Sequence, residues 1–307
     1  MNVSTAVDVA CIVRTYTPQS RRAAAAWAYT RSTVSQLVFA STASPSNAAK
    51  YMSHLADFAA WAHGEGVPLL PRHLLDPEVI ERYIAIGMAA SRDSTRATRR
   101  AILRRVARRC SPAAPEPPRP IAYRRVRPPY TAADVEGLLG LAAAQPTPNR
   151  RRTLRAILHL GLGCGLASHD LAWVGGDDVS PLPDGGVQVR VSGGTRPRAV
   201  VALAAHEDPL LALAEAAGQR LLIGGTLRGR RNVTRGPLAD VVGGEDLPRL
   251  EPARLRSTWL LTHLQARTPL PALMQAAGLS TVRPLEDLLH HWPIDPEAAR
   301  AALRAAG

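Results

Sequence analysis

The sequence predicts a mainly α-helical chain of two domains that carries one small antiparallel sheet. Three observations support this. Aromatic residues make up only 4% of the 307 residues while apolar residues make up 46%, so the core is built mainly from Ala, Leu and Val, which favours packed helices over a β-sandwich. Strand-like alternation is confined to "VQVRV" and "RAVVAL", which follow the turn sequences "PDGG" and "GG". The run "CSPAAPEPPRPIAYRRVRPPY" excludes helix and stiffens the path between two helical regions. The expected organisation is an N-terminal segment over 1–17, a helical domain over 18–110, a Pro/Arg-rich linker over 111–130 and a second domain over 131–307.

Taken in order, residues 1–17 carry no strong pattern, and 18–38 has helical composition. "SPSNAAKYMSHLADFAAWAHGEG" predicts a helix with Ser46 as its N-cap and Gly64 as its stop; Tyr51, Leu55, Phe58 and Trp61 or Ala59 recur at helical spacing and are read as core. "DPEVIERYIAIGMAA", residues 76–90, predicts another helix, capped by Asp76 before Pro77. In "SRDSTRATRRAILRRVARRC", Ile102, Leu103 and Val106 form a narrow apolar stripe, and arginines cover the remainder. Thr131 and Asp134 make a capping-box pattern at the start of the second domain. A helix around "RRTLRAILHLGLG" precedes the two strands, and the chain from Asp208 is helical again. "DPEAARAALRAAG" closes the sequence as a short helix capped by Asp295.

Formal net charge is +13, and Lys50 is the only lysine. Such an arginine excess points to nucleic acid as the partner. It is concentrated between Arg92 and Arg109, where eight arginines accompany one acid, Asp93. A merely solvated face would mix in Glu or Asp for pairing, and a membrane-lying helix would carry a longer apolar face with Trp or Phe. Cys11, Cys110 and Cys164 are far apart and odd in number, so neither a disulfide framework nor a metal site is expected. There is no secretory start and no run of 18 apolar residues, so the expected location is cytoplasmic, associated with the nucleoid, and not in a membrane.

Several segments together carry a family resemblance. "NAAKYMSHLADFAAWAHGEG", "STRATRRAILRRV", "YTAADVEGLL", "GCGLASHDLAWVGGDDV", "VRVSGGTRPRAVVAL", "ARLRSTWLLTHL" and "LMQAAGLSTV" appear in that order. In order and spacing the chain resembles the tyrosine recombinase, or phage integrase, family over about residues 25–290. The resemblance implies a helical core-binding domain followed by an integrase-type catalytic-fold domain, closing on duplex DNA as a clamp. In that family a tyrosine attacks the phosphodiester, two arginines stabilise the charge on the phosphate, and a lysine and histidines move protons.

Placed on this chain, the first arginine falls at Ala167, the lysine at Gly193 (counted back from Arg198) and the first histidine at Ala253. The second arginine is kept, as Arg256. The later histidine falls at Leu279 and the nucleophile at Leu288. Asp170 stands at the family's acidic position. No tyrosine follows Tyr130, and no lysine follows Lys50. The expectation is a protein that binds DNA without catalysis, metal or cofactor. Its role would be regulatory, architectural or accessory to recombination. His290 and His291 lie near the nucleophile position but lack the supporting groups for substitute catalysis. Expected DNA contacts are Arg96, Arg99, Arg100, Arg104 and Arg108 on the basic helix, and Arg124, Arg125 and Arg127 in the linker. In the second domain they are Arg151, Arg230, Arg231 and Arg256. The C-terminal helix is expected to meet its own chain, a second copy or an active recombinase. Two alternatives remain open: a protein–protein module on the same fold, and an active recombinase with an unconventional site. A continuous positive surface favours DNA, whereas arginines paired with acids favour a protein partner.

Overall fold

The computed structural model describes residues 3–110, 121, 126–194, 196–292 and 295–304. The chain forms two compact units, Met1–Arg124 and Arg125–Gly307.

The first unit is helical: α1 Val3–Thr15, α2 Arg21–Ser41, α3 Pro45–Gly64, α4 Pro71–Leu74, α5 Pro77–Arg82 and α6 Asp93–Cys110. α1 was not expected from the sequence. Val9 and Val13, one helical turn apart, are nonetheless buried in the core with Leu37, Leu55 and Ile102. α3 begins one residue after Ser44, not after the expected cap Ser46, because Pro45 supplies the preset φ of a first helical position. The helix expected over 76–90 is broken: α5 passes into a π turn over Tyr83–Gly87. Gly87 sits there against Tyr83 and Trp61, whose side-chain atoms lie 2.5 and 2.9 Å from where a Cβ would be. The apolar stripe of α6, Ile102, Leu103 and Val106, is buried as its spacing predicts.

The second unit contains α7 Ala132–Ala143, α8 Pro148–Cys164, β1 Val179–Pro181, β2 Val187–Val191, β3 Arg198–Val201 and α9 Glu207–Ala217. It continues with α10 Arg235–Ala239, α11 Pro252–Gln265, α12 Leu270–Ala277, α13 Arg283–Leu289 and α14 Pro296–Arg304. The sheet is antiparallel in the order β1-β2-β3, with Val189 opposite Val179 on one side and Val200 on the other. β1 lies just after "GGDD", where three residues were too few to show alternation. The capping box at α7 forms in both directions: Asp134 N–H donates to Thr131 Oγ1 (3.1 Å), and Thr131 N–H donates to Asp134 Oδ2 (2.9 Å). Tyr130, expected in the linker, is buried in this unit. Its hydroxyl donates to the Arg249 carbonyl (2.6 Å) and accepts from Glu251 N–H (2.9 Å). α8 runs through the middle of the core, and α11 and α9 pack against it. No helix among the described residues is long and apolar enough to cross a membrane.

Candidate functional site

α8 ends at Gly165, whose φ of +60° a residue with a side chain would adopt only under strain. The indole of Trp259 also lies 2.2 Å from where its Cβ would be. This tight turn, between α8 and the 3₁₀ turn Asp170–Trp173, sets the first half of the site. Asp170 is buried. Its Oδ2 accepts from Ala167 N–H (3.0 Å) and from Arg198 (2.8 Å), and its Oδ1 lies 3.2 Å from His169 Nε2. Burial alone would raise its pKa. The hydrogen bond and charge of Arg198, the Ala167 N–H and His169 outweigh burial and hold the pKa below the usual carboxylate value.

Arg198, at the start of β3, also donates through Nε to the Ala276 carbonyl at the end of α12 (2.7 Å). Arg256, on α11, donates to the carbonyls of Gly165 and Ala277. Burial, with the nearby Arg198 charge adding to it and Asp170 opposing it, lowers the pKa of Arg256 to about 10. Two guanidinium groups and one carboxylate therefore share this corner, and they tie together α8, β3, α11 and α12. Arg198 was only a counting mark in the sequence. No local pattern links it to Asp170, 28 residues earlier.

The remaining family positions are filled as follows. Ala167 is half-buried in the turn beside Asp170, and Ala253 is exposed on the first turn of α11. Leu279 packs half-buried against the core just after Gly278, and Leu288 on α13 is fully buried within it. Gly193 lies against Trp173, whose ring carbons are 2.3–2.6 Å from where a Cβ would be. Any side chain there, a lysine included, requires the indole to move.

α6 corrects one sequence expectation. Three of its arginines have carboxylate partners supplied by other helices. Arg99 meets Asp57 of α3 (2.8 Å), and Arg100 and Arg104 both meet Glu81 of α5 (2.8 and 2.9 Å). Arg100 and Arg104 are 7% and 6% exposed, which takes them off the outer face where DNA contacts were expected. Arg96 pairs with Asp93 (3.1 Å) and also donates to the Ile84 carbonyl. Arg108 is exposed, as are Arg92, Arg105 and Arg109, three arginines outside the contacts expected from the sequence. None of these four has an ion pair among the described residues.

In the second unit, Arg127 pairs with Glu251 (3.2 Å), Arg151 donates to the Gln145 carbonyl (2.7 Å) and Arg230 donates to the Gly224 carbonyl (2.6 Å). Arg231 is exposed, and neighbouring Arg228 clasps Asp177 and Asp178. Arg124 and Arg125 lie outside the described residues. A second feature without a sequence signal is the contact between His159 of α8 and His206, whose Nδ1 atoms are 2.9 Å apart.

Comparison with solved structures places the architecture. The chain is similar to the XerH site-specific recombinase bound to palindromic difH substrate in a post-cleavage complex. The two share 15% identity, with 97% of this chain and 93% of that chain covered at a TM-score of 0.62. It is also similar to XerH in the pre-cleavage complex with difH, at 14% identity, coverage of 93% and 92% and a TM-score of 0.58. A third similar structure is the Tn1549 transposon integrase in complex with circular intermediate DNA, at 13% identity, 99% coverage of both chains and a TM-score of 0.55. No protein-family model and no curated protein matches the sequence. The mainly helical chain with its three-stranded antiparallel sheet thus has a two-unit recombinase architecture. In particular, the fold is that of the tyrosine recombinases and integrases.

Proposed function

We propose that this chain binds duplex DNA through contacts from both units and does not form a covalent tyrosine–DNA bond. The observation that carries the reading is Leu288. It is fully buried at the position where the resemblance puts the nucleophile, and no tyrosine follows Tyr130. Leucine cannot attack phosphorus, and a buried core position does not present a side chain to DNA. Ala167, Gly193, Ala253 and Leu279 supply none of the other groups that the chemistry needs. The binding half of the reading is supported by the net charge of +13 and by the exposed α6 arginines. Arg231 and the loop around it supply further positive charge. The resembling XerH and Tn1549 proteins were both captured with DNA. Arg256 is then a structural or phosphate-binding group rather than a catalytic one, and the role is regulatory, architectural or accessory to recombination. α14 leaves Leu303 79% exposed, which suits docking on a second copy or on an active recombinase.

A protein-interaction module on the same fold is the second reading. The pairing of Arg99, Arg100 and Arg104 with acids favours it, because it removes positive charge from the expected DNA face. One experiment separates the readings: binding to labelled duplex DNA over a range of salt concentrations, with denaturing gels run on the same samples. Salt-sensitive binding without an adduct is the expected result. No binding at low salt favours the protein module, and a covalent adduct defeats the non-catalytic reading.

A further inference from the structure

The helical unit holds a cavity of about 280 Å³ that the DNA reading does not use. It opens where the N-terminal ends of α2 and α6 meet the π turn. Ser20 and Arg22 come from the start of α2, Tyr83 from the π turn, and Ser91 and Thr95 from around the start of α6. Asp57 and Arg99 also line it.

The hydrogen-bond inventory of these side chains is one-sided. Both oxygens of Asp57 are occupied, Oδ1 by the Ser20 hydroxyl and Oδ2 by Arg99 at 2.8 Å. Tyr83 accepts from the same Arg99 nitrogen (2.7 Å), so its own O–H proton remains to be donated. Arg99 Nε–H is buried and has no acceptor among the described residues. The half-buried Ser91 and the exposed Thr95 and Arg22 offer further donors that no protein acceptor among the described residues takes up. Asp93, the acid at the start of α6, is held by Arg96. Donors are thus in surplus, each carboxylate oxygen already accepts one hydrogen bond, and Arg22 and Arg99 outweigh Asp57 by one positive charge. Two long helices also direct their N-terminal dipole ends toward this region. Such a surface suits a ligand that only accepts hydrogen bonds and carries negative charge.

We infer that this cavity is an oxyanion site that takes a phosphate group. Its volume exceeds what one phosphate fills, leaving room beside Gly87 and Met88 for the body of a small phosphate ester. The inference does not rest on the DNA reading. The phosphate can come from a free ester or from a nucleic-acid backbone, and the test distinguishes them.

The test is thermal unfolding of the full chain in low-millimolar inorganic phosphate against chloride at matched ionic strength, with calorimetric titration of inorganic phosphate. A ligand that binds the folded state raises Tm with its concentration. The expected result is a phosphate-dependent rise that chloride does not give. In Arg22→Ala, and in the double variant Ser91→Ala/Thr95→Ala, phosphate affinity should fall roughly tenfold or more, the scale of a lost charge-assisted hydrogen bond. Unshifted Tm in chloride shows that these variants fold. Equal responses to the two anions, or a phosphate response that survives both variants, overturns the site. Duplex DNA then identifies the source. Competition between DNA and phosphate, with DNA affinity lost in Arg22→Ala, assigns a backbone phosphate; undisturbed DNA binding assigns a free ester. A chain that takes phosphate but no DNA keeps this site and defeats the DNA reading.

Discussion

Arginine is buried in both units, and Arg256 differs from the α6 arginines in the kind of partner it has. In the helical unit, Arg100 and Arg104 close on one carboxylate, Glu81, and Arg99 closes on Asp57. In the second unit, Arg198 closes on the buried Asp170, but Arg256 beside it reaches the carbonyls of Gly165 and Ala277 and no carboxylate among the described residues. The first arrangement cancels charge and ties α6 to α3 and α5. The second stores charge at the end of α8, which is why burial can lower the Arg256 pKa to about 10. An arginine count read from sequence therefore does not measure the positive charge available to a partner. The acids that neutralise Arg99, Arg100 and Arg104 are 19 to 42 residues away in sequence.

The largest expected effect breaks the charge-cancelling side. Glu81→Ala removes the carboxylate that two buried guanidinium groups share, and removing one partner of a buried pair is far costlier than removing an exposed bridge. Because Glu81 is itself 32% exposed at its side chain, the expected loss is about 2–4 kcal/mol, read by urea denaturation of the full chain. A loss below about 0.5 kcal/mol would put the cluster with ordinary surface bridges and erase the contrast between the units.

The next effect sharpens the other side, where Arg256 and a histidine pair are buried without a carboxylate partner of their own. Burial, with the neighbouring ring and Arg155 adding to it, lowers the His159 pKa from 6.5 to about 4, and burial lowers that of His206 as well. Both rings are then neutral when folded, while the unfolded chain takes up protons first. Stability is therefore complete above about pH 6.5 and is lost as pH falls toward about 4, with His159 contributing on the order of 2–3 kcal/mol. The check is the slope of Tm between those pH values. His159→Leu/His206→Leu should flatten it, and an unchanged slope would remove the pair as its source.

What was legible in the sequence follows the same division between local and distant causes. Helical spacing exposed the core of α3 and α6, and the Thr131–Asp134 box and the two main strands follow from neighbouring residues. The order of motifs carried the fold even though the comparison structures share only 13–15% identity. α1 escaped because its buried Val9 and Val13 are too few to make a periodic stripe. The break after Arg82 escaped because the packing of Gly87 against Trp61 is a tertiary contact. The site was legible as positions and illegible as partners. Gly193 looked like a missing lysine, but only the structure shows Trp173 lying against it. Arg198 looked like a register mark, but only the structure joins it to Asp170.

Arg256→Met comes next in size. It removes a charge without stranding a carboxylate, and it leaves two carbonyls without their donors. The expected cost is about 1–2 kcal/mol, since a lost hydrogen bond to a charged group is worth roughly that. Thermal unfolding measures it. A cost equal to that of Glu81→Ala would mean that carbonyl partners hold arginine as firmly as carboxylates do, and the comparison would fail.

The smallest effect on stability separates the two faces of α6. Arg105→Ala/Arg108→Ala/Arg109→Ala changes only exposed side chains, so unfolding should move by no more than about 0.5 kcal/mol. Arg99→Ala/Arg100→Ala/Arg104→Ala removes the internal clasps and should destabilise the unit much as Glu81→Ala does. DNA binding should divide in the opposite way. Each lost phosphate contact lowers the log–log salt slope by about 0.9, so the outer triple variant flattens it, and the inner one leaves it unchanged at temperatures where it is still folded. An inner variant that flattens the slope without losing stability would mean that DNA draws Arg99, Arg100 and Arg104 out of their pairs. The carboxylates of Asp57 and Glu81 would then act as competitors of the DNA backbone, and arginine on this helix would be held in reserve rather than consumed.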